Sequence, residues 1–215
     1  MIIYFKRFLY LIVFYCYSTC HAGSFDDFFN AIKRDDADTV KALLSRGFDP
    51  NTLDPAGDHG LLLGVRQSSL KVVAVLLGWP KVNVEPRTLQ DESPLMLAAL
   101  KGFTELCEKL IASGADVNKP GWTPLHYAAT NGHLAVMNLL LENHAYIDAA
   151  SPNGSTPLMM ASHYGTPAAV KLLLEAGADP LLKNEQGLTA IDFAQRADRP
   201  ESAKIIAAFI QSKKP

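Results

Sequence analysis

Three short strings constrain this chain more than anything else in it. Ser93-Pro94-Leu95-Met96, Thr123-Pro124-Leu125-His126 and Thr156-Pro157-Leu158-Met159 set their prolines 30 and then 33 residues apart, and a weaker copy, Thr189-Ala190-Ile191-Asp192, follows after another 33. A second string trails each at a fixed interval. Leu110-Ile111-Ala112-Ser113-Gly114, Leu140-Leu141-Glu142-Asn143-His144 and Leu173-Leu174-Glu175-Ala176-Gly177 put Gly, or His in its place, 20 residues after the proline. Counting back from Leu43-Leu44-Ser45-Arg46-Gly47 and from Leu76-Leu77-Gly78-Trp79-Pro80 recovers two degraded copies. Six units result, with first helices starting near Asp27, Gly60, Pro94, Pro124, Pro157 and Ala190. A period of this length means an array in which each unit buries its apolar face only against its neighbours.

Each unit reads as two short helices and a turn. Ser or Thr caps the first helix, and Pro follows at the first helical position, where its missing N–H costs nothing. Leu125, Ala128 and Ala129 recur at helical spacing, and small alanines let neighbouring helices approach closely. Asn131-Gly132-His133 breaks the chain, and Leu134, Val136, Leu139 and Leu140 form a second apolar stripe. The closing Gly supplies a left-handed residue, so His144 in that place implies some strain. Three residues are missing between Asn118 and Gly121, which predicts a shortened loop before Thr123.

The pattern resembles the ankyrin repeat, whose signature includes T-P-L-H-x-A over 33 residues. The resemblance runs from residue 25 to about 212 and is sharpest from Ser93 to Asp179. It implies an all-α fold, an ankyrin-repeat solenoid of about six helix-turn-helix units joined by β-hairpin-like loops. Repeats would start near 25, 58, 91, 121, 154 and 187 within one domain spanning 23–215. The first and sixth units lack Thr-Pro-Leu, as expected of caps whose outer faces meet water.

Residues 1–22 differ from the rest. Lys6 and Arg7 precede an apolar run from Phe8 to Tyr17, and Ser18-Thr19-Cys20-His21-Ala22 follows, the pattern of a signal peptide cut between Ala22 and Gly23. The run is shorter than a membrane span needs, so a periplasmic or secreted protein with no stable span is expected. Removing the segment leaves 18 Lys and Arg against 22 Asp and Glu, a net charge of −4, with Cys107 as the one cysteine. That balance argues against nucleic acid as a partner. A lone cysteine in a helical pattern reads as a small buried hydrophobe rather than a catalytic thiol.

No catalytic constellation stands out. The six histidines lack HxxxH spacing, there is no CxxC, and no nucleophile elbow or phosphate loop occurs. Neither a cofactor nor a metal is expected, and no enzyme activity. The resemblance instead implies a monomeric module that binds a protein through its concave face and loop tips. The inner-helix row would present Lys33, Arg34, Arg66, Gln67, Leu100, Lys101, Thr130, Asn131, His163, Tyr164 and Arg196. The tips would present Asp58, Gln90, Glu92, Lys119, Trp122, Asn153, Ser155, Glu185 and Leu188. Five basic and no acidic side chains in the inner row suit a partner with an acidic surface, or are ordinary solvated charge. Trp122 is either an anchor for the partner or folds back on its neighbour. An immunity-type or enzyme-supporting role, or a hydrolase with an unrecognised site, are the alternatives.

Overall fold

The computed structural model describes residues 23–213; residues 1–22, where a signal peptide is expected from the sequence, lie outside the described residues. The chain divides into two compact units, one ending at Asn83 and the other beginning at Val84. Twelve helices occur among the described residues. In the first unit they are α1 (23–33), α2 (Ala37–Ser45), α3 (Gly60–Gln67) and α4 (Leu70–Leu77). The second holds α5 (Pro94–Lys101), α6 (Thr104–Ala112), α7 (Pro124–Asn131), α8 (Leu134–Glu142), α9 (Pro157–His163), α10 (Pro167–Glu175), α11 (Ala190–Arg196) and α12 (Pro200–Ser212). Among the described residues the loops carry one isolated antiparallel bridge, between Leu53 and His59.

In the first unit, Phe28 stacks on Phe48 with ring centroids 4.6 Å apart and meets Phe29 edge-on at 5.2 Å. This aromatic cluster, with Ile32, gives the terminal repeat a core of its own. The turn after α1 also serves the next repeat: the Asp35 carboxylate accepts from Val72 N at 3.0 Å, satisfying an amide in the first turn of α4.

In the second unit, α5, α7, α9 and α11 pack side by side as an inner row, while α6, α8, α10 and α12 form the outer row. Ala98, Ala99, Ala128, Ala129, Ala161 and Ala194 are fully buried between the inner helices. Approach is closest at Gly165, where an added Cβ would lie 2.5 Å from the Ala129 carbonyl oxygen. The outer stripe differs from the sequence reading. Val136, Met137 and Leu140 are fully buried, whereas Leu134 is 37% exposed. With 3.6 residues per turn, Val136, Leu140 and Met137 lie within an arc of about 100°, and Leu134 falls about 60° beyond its edge.

The start of each inner helix is fixed by the fourth signature residue. Met96, His126, Met159 and Asp192 reach back to the amides of Ser93, Thr123, Thr156 and Thr189. His126 does this through Nδ1 at 3.2 Å, so its proton sits on Nε2, which donates to the Ser155 carbonyl at 2.9 Å. One imidazole thereby caps its own helix and clamps the next repeat. At the other end, His144 holds φ = 63°, where Gly47, Gly114 and Gly177 stand in the equivalent turns. The left-handed backbone is kept although a side chain disfavours it, because the closing Ala145 N–H to Leu140 O bond of 2.9 Å requires it.

Burial holds the His126 imidazole well below its usual range, at about 4. The ring is neutral in the fold, and unfolding frees it to bind a proton near pH 6.5. Stability is therefore complete above that pH and falls as pH drops towards 4, by up to about 3 kcal/mol. Urea unfolding of wild type and His126→Gln at pH 7 and pH 4.5 checks this: the substitution should flatten the pH dependence. An equal slope in the variant would remove His126 as its cause.

Candidate protein-binding surface

The loop tips are built on one scheme with different residues. Asp54, Thr88, Ser151 and Asn184 each open a tip, and their side chains accept from the backbone N–H four residues on, at 2.8, 3.1, 3.0 and 3.0 Å. A left-handed residue follows: Gly57, Asp91, Gly154 and Gly187. These local bonds make each tip a stiff platform.

The shortened loop before Thr123 has too few residues for this turn, and a side chain substitutes. Lys119 is 6% exposed rather than displayed at a tip, and its Nζ donates to the carbonyls of Pro120 and Trp122 at 2.9 and 3.4 Å. It also pairs with the Asp91 carboxylate at 2.5 Å, and that hydrogen bond holds Asp91 below the usual carboxylate range. Asp91 is the non-glycine left-handed residue among the four tips, so sequence departures in adjacent loops answer one another.

Trp122 leaves this loop half-buried and meets the His126 ring edge-on, with centroids 5.2 Å apart. Together with Leu100, Tyr127, Thr130 and Met160 it lines a groove of about 230 Å³ along the exposed side of α5, α7 and α9. The wall is apolar, with the Tyr127 hydroxyl tied at 3.0 Å to Glu92 and its ionisation raised first by burial and then by that carboxylate. Trp122 rests on the His126 ring, as the fold-back reading expects, and it also lines the groove.

Several sequence-chosen side chains also have partners within the fold. Thr130 Oγ1 donates to the His126 carbonyl at 2.8 Å, and Asn131 Nδ2 donates to the Leu100 carbonyl at 2.7 Å, bridging α7 to α5. Asn153 shapes its tip by accepting from Ser151 Oγ at 2.6 Å. His163 packs between Tyr164 and Phe193, at 4.1 and 5.9 Å between ring centroids, and its Nδ1 is buried without a hydrogen-bond partner. Tyr164 is 54% exposed beside it. Lys101 lies over the Phe103 ring at 5.8 Å, and Arg196 is exposed at the end of α11.

In the first unit, Lys33 and Arg34 are exposed at the end of α1. Arg66 grips Asp58 with two bonds of 2.6 and 3.3 Å, so its charge is balanced by an acidic tip residue that the all-basic row left out. Tyr127 and Met160 are groove walls that sequence reasoning missed, whereas Leu100 stood in its inner-helix row. Tyr127 had a usable signal: it directly follows the signature histidine, one helical turn from Asn131.

A helical array with stiff tips and an aromatic groove on its inner helices defines a repeat protein that makes protein–protein contacts. The chain belongs to the ankyrin-repeat family: profiles of ankyrin repeats in three copies match residues 28–120 and 61–151, and one of many copies matches 146–194. It is similar to a chain in the solved structure of the Bd0816 predatory endopeptidase from Bdellovibrio bacteriovorus in complex with immunity protein Bd3460. That likeness has a TM-score of 0.74 and 31% identity, over 87% of this chain and 98% of that one. Glycerophosphocholine phosphodiesterase gde1 of Schizosaccharomyces pombe is 33% identical over 115 residues, 51% of this chain and 10% of that protein. The NF-kappa-B p105 subunit of Gallus gallus is 30% identical over 163 residues, 73% of this chain and 17% of that protein. The chain thus spans less than a fifth of these two curated relatives.

Substituting Lys119→Met should remove a buried donor from two carbonyls and cost about 1–3 kcal/mol in urea unfolding. A double-mutant cycle with Asp91→Gly is expected to give a coupling above about 0.5 kcal/mol. Additive effects would show that the two loops stand independently.

Proposed function

We propose that this is an exported binding module, without catalytic activity of its own, that docks on one folded enzyme and occludes or stabilises it in the manner of an immunity protein. The observation that carries the reading is the groove at Trp122. A half-buried indole held by the His126 clamp presents a preformed apolar edge, so little freedom is lost when a partner covers it. The likeness to the endopeptidase–immunity complex supports the choice of an enzyme as partner, because it covers nearly the whole of the matched chain rather than a small part of a larger protein. Among the described residues no group of three or more His, Cys, Asp or Glu side chains is arranged to hold a metal. Burial drives the Cys107 thiol up to about 12, far from the range of a nucleophile.

Export rests on Lys6, Arg7, the apolar run Phe8–Tyr17 and the small residues before Gly23. Tagged at its C-terminus and recovered from the envelope of its own cell, the protein should begin at Gly23 by N-terminal sequencing. An intact Met1 there would overturn cleavage.

In-cell cross-linking of the same tagged chain, followed by mass spectrometry, should retrieve one predominant enzyme, and Trp122→Ala should lower its yield at least tenfold. A partner yield unchanged by Trp122→Ala would remove the groove from the interface.

A further inference from the structure

We propose that Leu89 is the anchor of the interface, a plug that enters an apolar side-chain pocket on the partner enzyme. The inference rests on the enzyme-docking reading above and deepens it by naming the residue and the shape of surface it requires. Leu89 is 96% exposed, so none of the described residues covers it. It stands at the first corner of the tip between α4 and α5, where the equivalent turns carry Pro55, Pro152 and Glu185.

The turn beneath it is braced on every side. Thr88 N donates to the Glu92 carbonyl at 3.0 Å and Asp91 N to the Thr88 carbonyl at 2.9 Å. Gln90 N and Glu92 N both donate to Thr88 Oγ1, at 3.2 and 3.1 Å. From the next loop Lys119 holds Asp91, and from the next repeat the Tyr127 hydroxyl holds Glu92. A leucine carried on so fixed a backbone loses little freedom on binding beyond its own rotamers.

Shape decides the kind of partner. A single apolar side chain surrounded by Thr88, Gln90, Asp91 and Glu92 cannot be dehydrated by a flat apolar face, which would strand the polar ring. A concave pocket takes the leucine and leaves the carboxylates, already held by Lys119 and Tyr127, at its wet rim, the arrangement of a buried hot spot within a polar surround. Peptidases carry such pockets for substrate side chains. The Glu92 carboxylate, held by a neutral hydroxyl, keeps its charge and disfavours an anionic membrane surface.

The test titrates the full chain against the Bd0816 endopeptidase and reads Kd by calorimetry. Wild type should bind one to one. Leu89→Asp should weaken binding at least thirtyfold and Leu89→Met less than threefold, while Gln90→Ala on the same tip should change it less than threefold. All three variants should keep the wild-type urea midpoint, since Leu89 and Gln90 are exposed among the described residues. Wild-type binding with an undiminished Leu89→Asp complex would overturn the plug and leave the enzyme-docking reading intact. No binding by wild type would overturn an endopeptidase of this kind as the docked enzyme, and the plug with it.

Discussion

No helix pair in this chain can bury its apolar face alone, and the rest of the structure follows from how neighbours are brought close enough to do it for one another. Within the second unit the limiting distance lies between inner helices, set by buried alanines and by the absence of a side chain at Gly165. Interiors packed at this density do not tolerate an extra methyl without displacement. Close approach also brings backbone groups of one repeat within reach of side chains of the next, and His126 uses it. Its ring takes one hydrogen bond from its own helix start and gives one to the following repeat, so local capping and stacking are set by a single tautomer.

The loops repeat this economy with changing chemistry. Asx-type and hydroxyl caps close four tips, and an ammonium closes the fifth where three residues are absent. Side chains in the loops also tie consecutive repeats: Asn118 donates to the His144 carbonyl at 2.8 Å and accepts from Tyr146 N at 2.7 Å. Likewise Glu85 accepts from Asp116 N at 3.0 Å. Burial raises the Glu85 carboxyl above its ordinary range, against the pull of that amide and of Arg87.

Periodicity made the helix pairs, their caps and the left-handed turn at His144 readable from sequence, because spacing along a chain reports directly on spacing along a helix. Burial of individual side chains was less readable. Leu134 and Met137 are both apolar, and the face that Met137 takes is decided by the packing partner. Lys119 looked like a tip residue because lysine is usually exposed. Its burial follows from a deletion whose consequence is three-dimensional: two carbonyls and Asp91 converge where a turn would otherwise be. The groove walls Leu100, Tyr127 and Met160 belong to three different repeats and touch one another only after stacking. Arg66 seemed an uncompensated cation for a related reason: its partner Asp58 precedes it on a tip that had been counted separately.

Charge in the inner row therefore has to be judged after pairing. Arg66 is neutralised locally and Lys101 lies over an aromatic ring, so neither projects an unmodified positive field towards a partner. Exposed charges of this kind mainly alter the rate and salt dependence of encounter, whereas apolar groups on stiff supports govern how long a complex lasts. The second unit holds such supports at Trp122, pinned by His126, and at the tip over Thr88. Where the fold spends its hydrogen bonds on immobilising a loop, the side chain raised on that loop is the one whose position is constant before any partner arrives.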